Sequence, residues 1–167
     1  MNVLFVCHAN TSRSVMAETL LRKMLEERAL SDAIRVHSAG VAPYARDGAL
    51  VSLDTRFALR DHGIDLADAK TSTDLKRNLH LLEDADLVLA MTTEQKAIVE
   101  RMPLAAAKPL YTLREFAGDT TDLDIADPAS RDEGFFRETC ALIKQALEAA
   151  LPRLLALSPL TESARRP

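Results

Sequence analysis

Cys7 and Arg13, six positions apart near the start of the chain, are the first residues whose types could do chemistry together. A cysteine thiolate is a nucleophile, and an arginine guanidinium can bind two oxygens of one phosphate. An apolar run that predicts a buried strand ends at Cys7, and helical spacing begins at Ser14. Loop amides that lead into a helix N-terminus attract anions and stabilise a thiolate. The stretch from Val3 to Glu18 therefore predicts an anion cradle with Cys7 as the nucleophile at its floor.

A purely structural explanation of these residues competes with the chemical one. Cysteine is often a small core residue, and a cysteine followed six residues later by an arginine occurs by chance in many chains. The strand before Cys7, the small polar residues between it and Arg13, and the helix beyond favour the chemical interpretation, because the motif and its predicted structural context agree.

The composition is typical of one domain. The chain has 167 residues, of which 47% are hydrophobic, enough for a sizeable core. We expect a domain over residues 1–157 and a disordered tail over 158–167. No apolar run approaches the length of a membrane span, and the first residues do not resemble an export signal, so we expect a cytoplasmic protein with no membrane partner.

Charge and cysteine content exclude further classes. A net charge of -4 and scattered basic residues argue against nucleic-acid binding. The four histidines show no pair at metal-ligand spacing, so no metal and no other cofactor is expected. Cys7 and Cys140 are expected to remain reduced, as in most proteins without an export signal.

The elements that must position Cys7 and Arg13 alternate between strand and helix. We predict strands over 3–7, 34–38, 86–91 and 108–112, and helices over 14–28, 53–63, 75–83, 94–101 and 134–157. Pro152 is expected to kink or divide the last helix, and residues 114–130 show no periodicity and predict a long loop.

Alternation of this kind predicts a three-layer α/β fold of Rossmann-like type, with a four-stranded parallel sheet and helices on both faces. Ligands bind at the carboxyl ends of such strands. Cys7 and Ser38 lie at those ends, and Asp127 lies in the loop after the fourth strand. The topology therefore predicts that all three residues meet at one edge of the sheet.

The segment Val3 to Glu18 resembles the phosphate-binding loop of the low-molecular-weight protein tyrosine phosphatases and their bacterial relatives, whose pattern is Cys, five residues, Arg and Ser, often followed by Pro-Met-Ala-Glu. Similarity continues at residues 37–40, 85–92 and 127–128. The resemblance implies the phosphotyrosine phosphatase I type of fold and hydrolysis of phosphorylated side chains through a cysteinyl-phosphate intermediate. It also implies a phosphorylated protein or peptide as substrate, a phosphate ion as ligand, and a monomer or weak dimer.

Within this resemblance, Asp127 of the Asp127-Pro128 pair takes the place of the family's general acid. Spacing alone leaves a turn role open for Asp127, and Asp122 and Asp124 are nearby alternatives. The residues expected to bind substrate with Arg13 are His8, Ala9, Asn10, Thr11, Ser12 and Ser14.

Three polar residues are expected to support the loop. Asn10 tolerates the left-handed backbone that a tight loop requires. Ser14 is predicted to cap the helix and to donate to the Cys7 thiolate. Ser38 is predicted to hydrogen-bond Asn10, although a simple turn role would also explain a serine at this position.

Two departures from the family pattern concern the shape of the loop. Ala9 stands where the family usually has glycine, and a positive φ there would cost an alanine about 1 kcal/mol. Val15 replaces the frequent proline after the Arg-Ser pair, which removes pre-organisation of the backbone but no hydrogen-bond donor.

Two further departures concern the substrate. Ala129 and Ser130 follow Asp127-Pro128, where tyrosine phosphatases tend to carry an aromatic residue. Tyr44, Phe135 or Phe136 could supply an aromatic wall instead. The threonine at position 11 resembles the loop of the protein arginine phosphatase branch, so phosphoarginine is expected as the substrate over phosphotyrosine.

Cysteine content also limits the alternatives. Ser12 replaces a second loop cysteine that could form a reversible disulfide with an oxidised Cys7. A thiol-dependent arsenate reductase shares this loop type but needs additional cysteines, and only Cys140 remains. A non-catalytic phosphate-binding module is the other alternative, although binding alone requires neither a nucleophile nor an acid.

Overall fold

A computed structural model describes residues 1–105 and 107–158 of the protein. Strands and helices alternate along these residues: β1 Asn2–Cys7, α1 Arg13–Glu26, β2 Arg35–Gly40, α2 Leu53–Arg60, α3 His80–Asp84, β3 Leu87–Ala90, α4 Thr93–Glu100, β4 Leu110–Thr112, α5 Leu113–Ala117 and α6 Glu133–Leu157.

The strands form one parallel sheet in the order β2-β1-β3-β4. Val3 and Phe5 of β1 pack on one face, in a core that includes residues of α1 and α6. Leu4 and Val6 pack on the other face, with the side chain of Val99 from α4. Because β1 is buried on both faces, its sequence is a continuous apolar run. The predicted three-layer α/β fold is confirmed.

The last helix differs from its prediction at Pro152. Helix α6 runs without interruption from Glu133 to Leu157, so Pro152 does not divide it. Leu151 and Leu154 are both buried in the core on either side of the proline. The guanidinium of Arg153 also lies 4.3 Å from the centre of the Phe116 ring. Tertiary packing therefore holds the helix together where the proline weakens it.

The predicted loop over residues 114–130 was wrong at its start, where α5 forms. Thr112 accepts a hydrogen bond from the Glu115 amide, and the Glu115 carboxylate accepts one from the Thr112 amide. This capping box stabilises a short helix whose Leu113 and Phe116 are buried. The Thr-x-x-Glu spacing was the signal that could have predicted it.

Other boundaries moved by a few residues. The segment predicted as a helix over 75–83 forms turns followed by α3 at His80–Asp84. Helix α6 ends at Leu157, and residues 159–167 of the predicted tail lie outside the described residues. Within the described part of the chain, no helix is long and apolar enough to cross a membrane.

Candidate active site

The loop between β1 and α1 is clamped against the segment that follows β2. The amides of Val41 and Ala42 donate to the carbonyls of Cys7 and His8, at 2.9 and 3.0 Å. A Cβ atom at Gly40 would meet the His8 carbonyl oxygen at 2.8 Å. The absence of a side chain at Gly40 therefore allows the loop to lie directly on the end of β2.

Asn10 holds the loop from inside. Its backbone is left-handed, with φ of 59°, as its residue type predicted. Its side-chain oxygen accepts from the Thr73 amide at 2.8 Å, and its amide nitrogen donates to Ser14 and Ser38, both at 2.8 Å. The predicted hydrogen bond with Ser38 is present. Ala9 is not in a positive-φ conformation, so alanine causes no backbone strain there.

The Cys7 thiol receives hydrogen bonds from this framework. Its sulfur lies 2.9 Å from the Ser14 hydroxyl and 3.3 Å from the amide of Asn10, which donates to it. Because the Ser14 oxygen already accepts from Asn10, its own proton is free to point at the sulfur. The N-terminus of α1 adds its positive dipole end. The sulfur is therefore surrounded by hydrogen-bond donors and by the positive end of a helix dipole, a setting suited to a cysteine nucleophile.

Ser14 was wrongly predicted to cap α1. The helix begins at Arg13, and Ser12 occupies the N-cap position without a side-chain capping bond. The Ser12 hydroxyl is buried and has no hydrogen-bond partner among the described residues. A buried donor that lines a cavity is suited to a bound oxyanion.

Arg13 and Asp127 form an ion pair at the cavity. Only 2% of the Arg13 side chain is exposed, and its Nη2 donates to Asp127 Oδ2 at 2.6 Å. Its Nη1 donates to the Ile125 carbonyl at 2.9 Å. Asp127 Oδ1 also accepts from the Ala129 amide at 3.1 Å, which is the turn role that spacing alone allowed. The turn therefore fixes the carboxylate beside the guanidinium.

The two alternative aspartates have other partners. Asp122 pairs with Arg114 at 2.5 Å. Asp124 accepts from the Thr93 amide at 2.7 Å, at the start of α4. Neither lines the cavity that contains Cys7, so the structure distinguishes Asp127 from both.

The cavity at the carboxyl end of β1 has a volume of about 310 Å³. Of the residues predicted for the site, those that line it are Cys7, His8, Ala9, Thr11, Ser12, Arg13 and Asp127. Asn10, Ser14 and Ser38 are buried and lie outside its lining. Tyr44 and Phe136 supply aromatic surface, whereas Phe135 does not line the cavity.

His8 lies between two carboxylates. Its Nδ1 lies 3.7 Å from Asp127 Oδ2, and its Nε2 lies 3.5 Å from Glu94 Oε2. The imidazole therefore links the carboxylate expected to act as the acid with a second, exposed carboxylate.

Sequence reasoning missed Glu18 as a member of the site framework. Its side chain is 2% exposed and pairs with Arg22 and Lys70, each at 2.7 Å. Its Oε2 also accepts from the Ser38 hydroxyl. Glu18 stands in the family motif, but Lys70 is 52 residues away in sequence, so only the fold reveals the pair.

Cys140 is unsuited to act with Cys7. It is fully buried in α6, and burial, followed by the charge of Asp61, raises the pKa of its thiol to about 12. Among residues 1–105 and 107–158, no three side chains of His, Cys, Asp or Glu are grouped as metal ligands.

Comparisons with a family model, with related sequences and with solved structures all identify one family. Residues 2–158 match the family model described as "Low molecular weight phosphotyrosine protein phosphatase". The chain is 40% identical over 141 residues to a protein-arginine-phosphatase of Geobacillus stearothermophilus, which covers 78% of this chain and 86% of the relative. It is 34% identical over 151 residues to low molecular weight protein-tyrosine phosphatase A of Mycobacterium tuberculosis, covering 88% and 87%.

Solved structures agree with this result. The YwlE arginine phosphatase from Geobacillus stearothermophilus matches with a TM-score of 0.77 at 35% identity, covering 93% of each chain. A YwlE arginine phosphatase mutant with a phosphorylated active-site serine matches with a TM-score of 0.81 at 30% identity, covering 92% of this chain and 95% of that one. The chain therefore belongs to the low molecular weight phosphotyrosine protein phosphatase family.

Proposed function

We propose that this protein hydrolyses phosphorylated protein side chains, with Cys7 as nucleophile, Arg13 as phosphate ligand and Asp127 as general acid and base. The observation that carries this proposal is the single cavity lined by all three residues, with the Cys7 sulfur 2.9 Å from the Ser14 hydroxyl and the Arg13 guanidinium 2.6 Å from Asp127. A nucleophile, a cation and an acid on one small cavity are what phosphoryl transfer to a thiolate requires.

In the first step, the phosphoryl group enters the cavity with its oxygens facing Arg13, the loop amides and the Ser12 hydroxyl. The Cys7 thiolate attacks phosphorus, and a sulfur–phosphorus bond forms as the bond to the leaving atom breaks. Protonated Asp127 donates its proton to that atom. The fixed donors stabilise the charge that builds on the phosphoryl oxygens, so they favour the transition state over the ground state.

In the second step, water attacks the cysteinyl-phosphate. Asp127, now a carboxylate, accepts a proton from this water. The sulfur–phosphorus bond breaks, phosphate forms, and the Cys7 thiolate leaves. Ser14 and the Asn10 amide donate to the thiolate in the geometry already present, which makes it a better leaving group.

The remaining residues hold the loop in shape or line the cavity. Asn10 and Ser38 keep the loop in its donor-inward shape through their shared hydrogen bond. His8, Ala9 and Thr11 line the cavity and contact the substrate around the phosphoryl group. No step requires a metal or a cofactor.

Phosphoarginine is the substrate class that we favour over phosphotyrosine. Thr11 lies on the cavity wall, where its hydroxyl can meet a guanidinium nitrogen. Ala129 and Ser130, which follow Asp127-Pro128, line the cavity without offering a ring on which a phenol could stack, so its aromatic surface comes from Tyr44 and Phe136. The similarity to a relative named protein-arginine-phosphatase, at 40% identity, supports the same substrate. We further propose a cytoplasmic protein that acts as a monomer or weak dimer, without nucleic-acid or membrane partners.

The two alternatives receive less support. Arsenate reduction needs a second thiol within reach of Cys7, and Cys140 is fully buried. A non-catalytic module would not need Asp127 beside the phosphate ligand.

Turnover of p-nitrophenyl phosphate tests the enzyme proposal. We expect Cys7→Ser to abolish turnover while phosphate binding, measured by calorimetry, is retained. Retained turnover in Cys7→Ser would refute the role of Cys7.

Peptides that differ only in phosphoarginine or phosphotyrosine test the substrate class. We expect wild-type protein to prefer phosphoarginine and Thr11→Ile to shift the preference towards phosphotyrosine. Thr19→Ile, in the middle of α1 and outside the cavity lining, is the control. An unchanged preference in Thr11→Ile would show that Thr11 does not select the substrate.

A further inference from the structure

Large apolar side chains are exposed next to the active-site cavity. Leu50 is 75% exposed, Leu53 69% and Tyr44 68%, and Phe57 is also exposed. Single exposed apolar residues are normal on protein surfaces. A contiguous group of them indicates an interaction site. Of these four side chains, Tyr44 lines the active-site cavity itself.

Leu50, Leu53 and Phe57 line one groove together with Leu66. Its volume is about 590 Å³, larger than that of the active-site cavity. Ser52 lines both the groove and the cavity, so the two adjoin at this residue. We call this groove the α2 groove.

The α2 groove has a fixed position relative to the phosphate loop. The Ser52 amide donates to the Thr11 carbonyl at 3.2 Å, and the Thr55 hydroxyl donates to the same oxygen at 3.4 Å. Thr55 also belongs to the N-terminal turn of α2, which Ser52 caps. A chain bound in the groove is therefore held in register with the loop beneath it.

The charged residues of the α2 groove are already paired with one another. Arg60 contacts Asp65 at 3.2 Å. Arg56 donates to the Leu66 carbonyl at 2.8 Å and lies 3.6 Å from Asp68. Since these charges balance within the groove, its leucine and phenylalanine side chains are what it offers a partner.

We propose that the α2 groove binds the substrate polypeptide and selects an apolar side chain close to the phosphorylated residue. This proposal rests on the proposed function, because the occupant is the chain whose phosphorylated side chain enters the cavity. An extended chain advances about 3.3–3.6 Å per residue, and Ser52 lies on both sites. The selected side chain therefore stands about one to three residues from the phosphorylated one.

Matched phosphopeptides test the selection on wild-type protein. Pairs of phosphoarginine peptides, with phosphotyrosine pairs in parallel, carry either leucine or serine at each of the three positions on either side. We expect leucine at one or two adjacent positions to raise kcat/KM about tenfold, mainly through KM, since burial of one apolar side chain has an effect of this order. Equal hydrolysis of the members of every pair would overturn the proposal.

The variant Leu50→Ser/Leu53→Ser locates the effect in the groove. We expect it to remove the preference for leucine and to leave kcat/KM for p-nitrophenyl phosphate unchanged, because the small ester does not reach the groove. Leu157→Ser is the matched control. Its side chain is 56% exposed at the C-terminal end of α6. At 1.5 Å per residue of helix, it lies roughly 30 Å along α6 from Phe136. The control should keep the preference.

Three other outcomes have distinct meanings. A preference for leucine that survives in Leu50→Ser/Leu53→Ser would overturn the assignment to the groove. If sedimentation shows that the same variant dissociates a dimer while peptide selectivity is unchanged, the groove binds a second copy and the proposal is wrong. If wild-type protein hydrolyses no phosphate ester at all, the proposed function fails and this inference fails with it.

Discussion

The ion pair between Asp127 and Arg13 predicts that Asp127→Ala weakens catalysis but strengthens phosphate binding. Asp127 Oδ2 lies 2.6 Å from Arg13 Nη2, so a phosphate oxygen must compete with this carboxylate for the guanidinium. The Arg13 side chain is 2% exposed and the Asp127 side chain 39% exposed. Within residues 1–105 and 107–158, removal of the competitor leaves the Arg13 guanidinium with the Ile125 carbonyl as its hydrogen-bond partner.

The magnitudes follow from these geometries. A partly exposed ion pair contributes about 1 kcal/mol after screening by solvent, which corresponds to roughly fivefold tighter binding of phosphate by Asp127→Ala. Loss of a positioned general acid lowers rates by about 10²–10⁴. The fall in kcat/KM, which reports attack by Cys7, should be larger for phenyl phosphate than for p-nitrophenyl phosphate, because the poorer leaving group needs the proton more.

Steady-state kinetics on both esters, with inhibition by inorganic phosphate, provide the assay. Asp122→Ala is the matched control, since Asp122 lies in the same loop but pairs with Arg114, and it should change neither value. Weaker phosphate inhibition in Asp127→Ala, together with an equal loss of kcat/KM for both esters, would refute the reasoning.

Three further predictions concern thiol chemistry, the loop support and pH. Iodoacetamide at neutral pH should label Cys7 alone, as read by mass spectrometry, because burial raises the pKa of the Cys140 thiol to about 12; labelling of Cys140 in folded protein would contradict this. Peroxide-treated protein should recover little of its activity in dithiothreitol, and rapid, complete recovery would contradict that expectation. Gly40→Ala should lower kcat/KM for p-nitrophenyl phosphate by roughly tenfold. The new Cβ would lie 2.8 Å from the His8 carbonyl oxygen, and such overpacking costs about 1–3 kcal/mol. Unchanged kinetics would contradict this, because the loop would then move freely away from the new side chain. Burial and then neighbouring cations lower the pKa of His37 from 6.5, so folding favours its neutral form. The free energy of unfolding should therefore fall as the pH drops through 6.5 towards the pKa of the folded state. In chemical denaturation, the free energy of unfolding of His37→Gln should depend less on pH than that of the wild-type protein, and an equal dependence would contradict this.

Local sequence signals were sufficient for the centre of the site. The apolar strand before Cys7, the polar loop and the helix, predicted from Ser14 and observed from Arg13, follow from residue periodicity. The conformation of Asn10 follows from its tolerance of a positive φ. The parallel sheet then placed Asp127 at the same edge as Cys7. These features depend on short segments and on general rules of topology, so they could be predicted.

Features that depend on tertiary contacts could not be predicted in the same way. The pairing of Glu18 with Lys70 and the α2 groove both require the positions of side chains from distant segments. Helix α6 continues through Pro152 because its neighbours pack in the core, which local propensity does not contain. The helix cap at Ser12 was missed because a boundary shift of one residue reassigns the capping position.

Rapid-quench trapping of a covalent intermediate tests whether Cys7 is the nucleophile. Wild-type protein is mixed with p-nitrophenyl phosphate, quenched in acid within the first turnover, and digested for mass spectrometry. We expect one added phosphoryl group on the peptide that contains Cys7, absent in Cys7→Ser and accumulated in Asp127→Ala, where water is no longer activated. Full turnover with no phosphoryl group on Cys7 at any quench time would contradict the proposed mechanism.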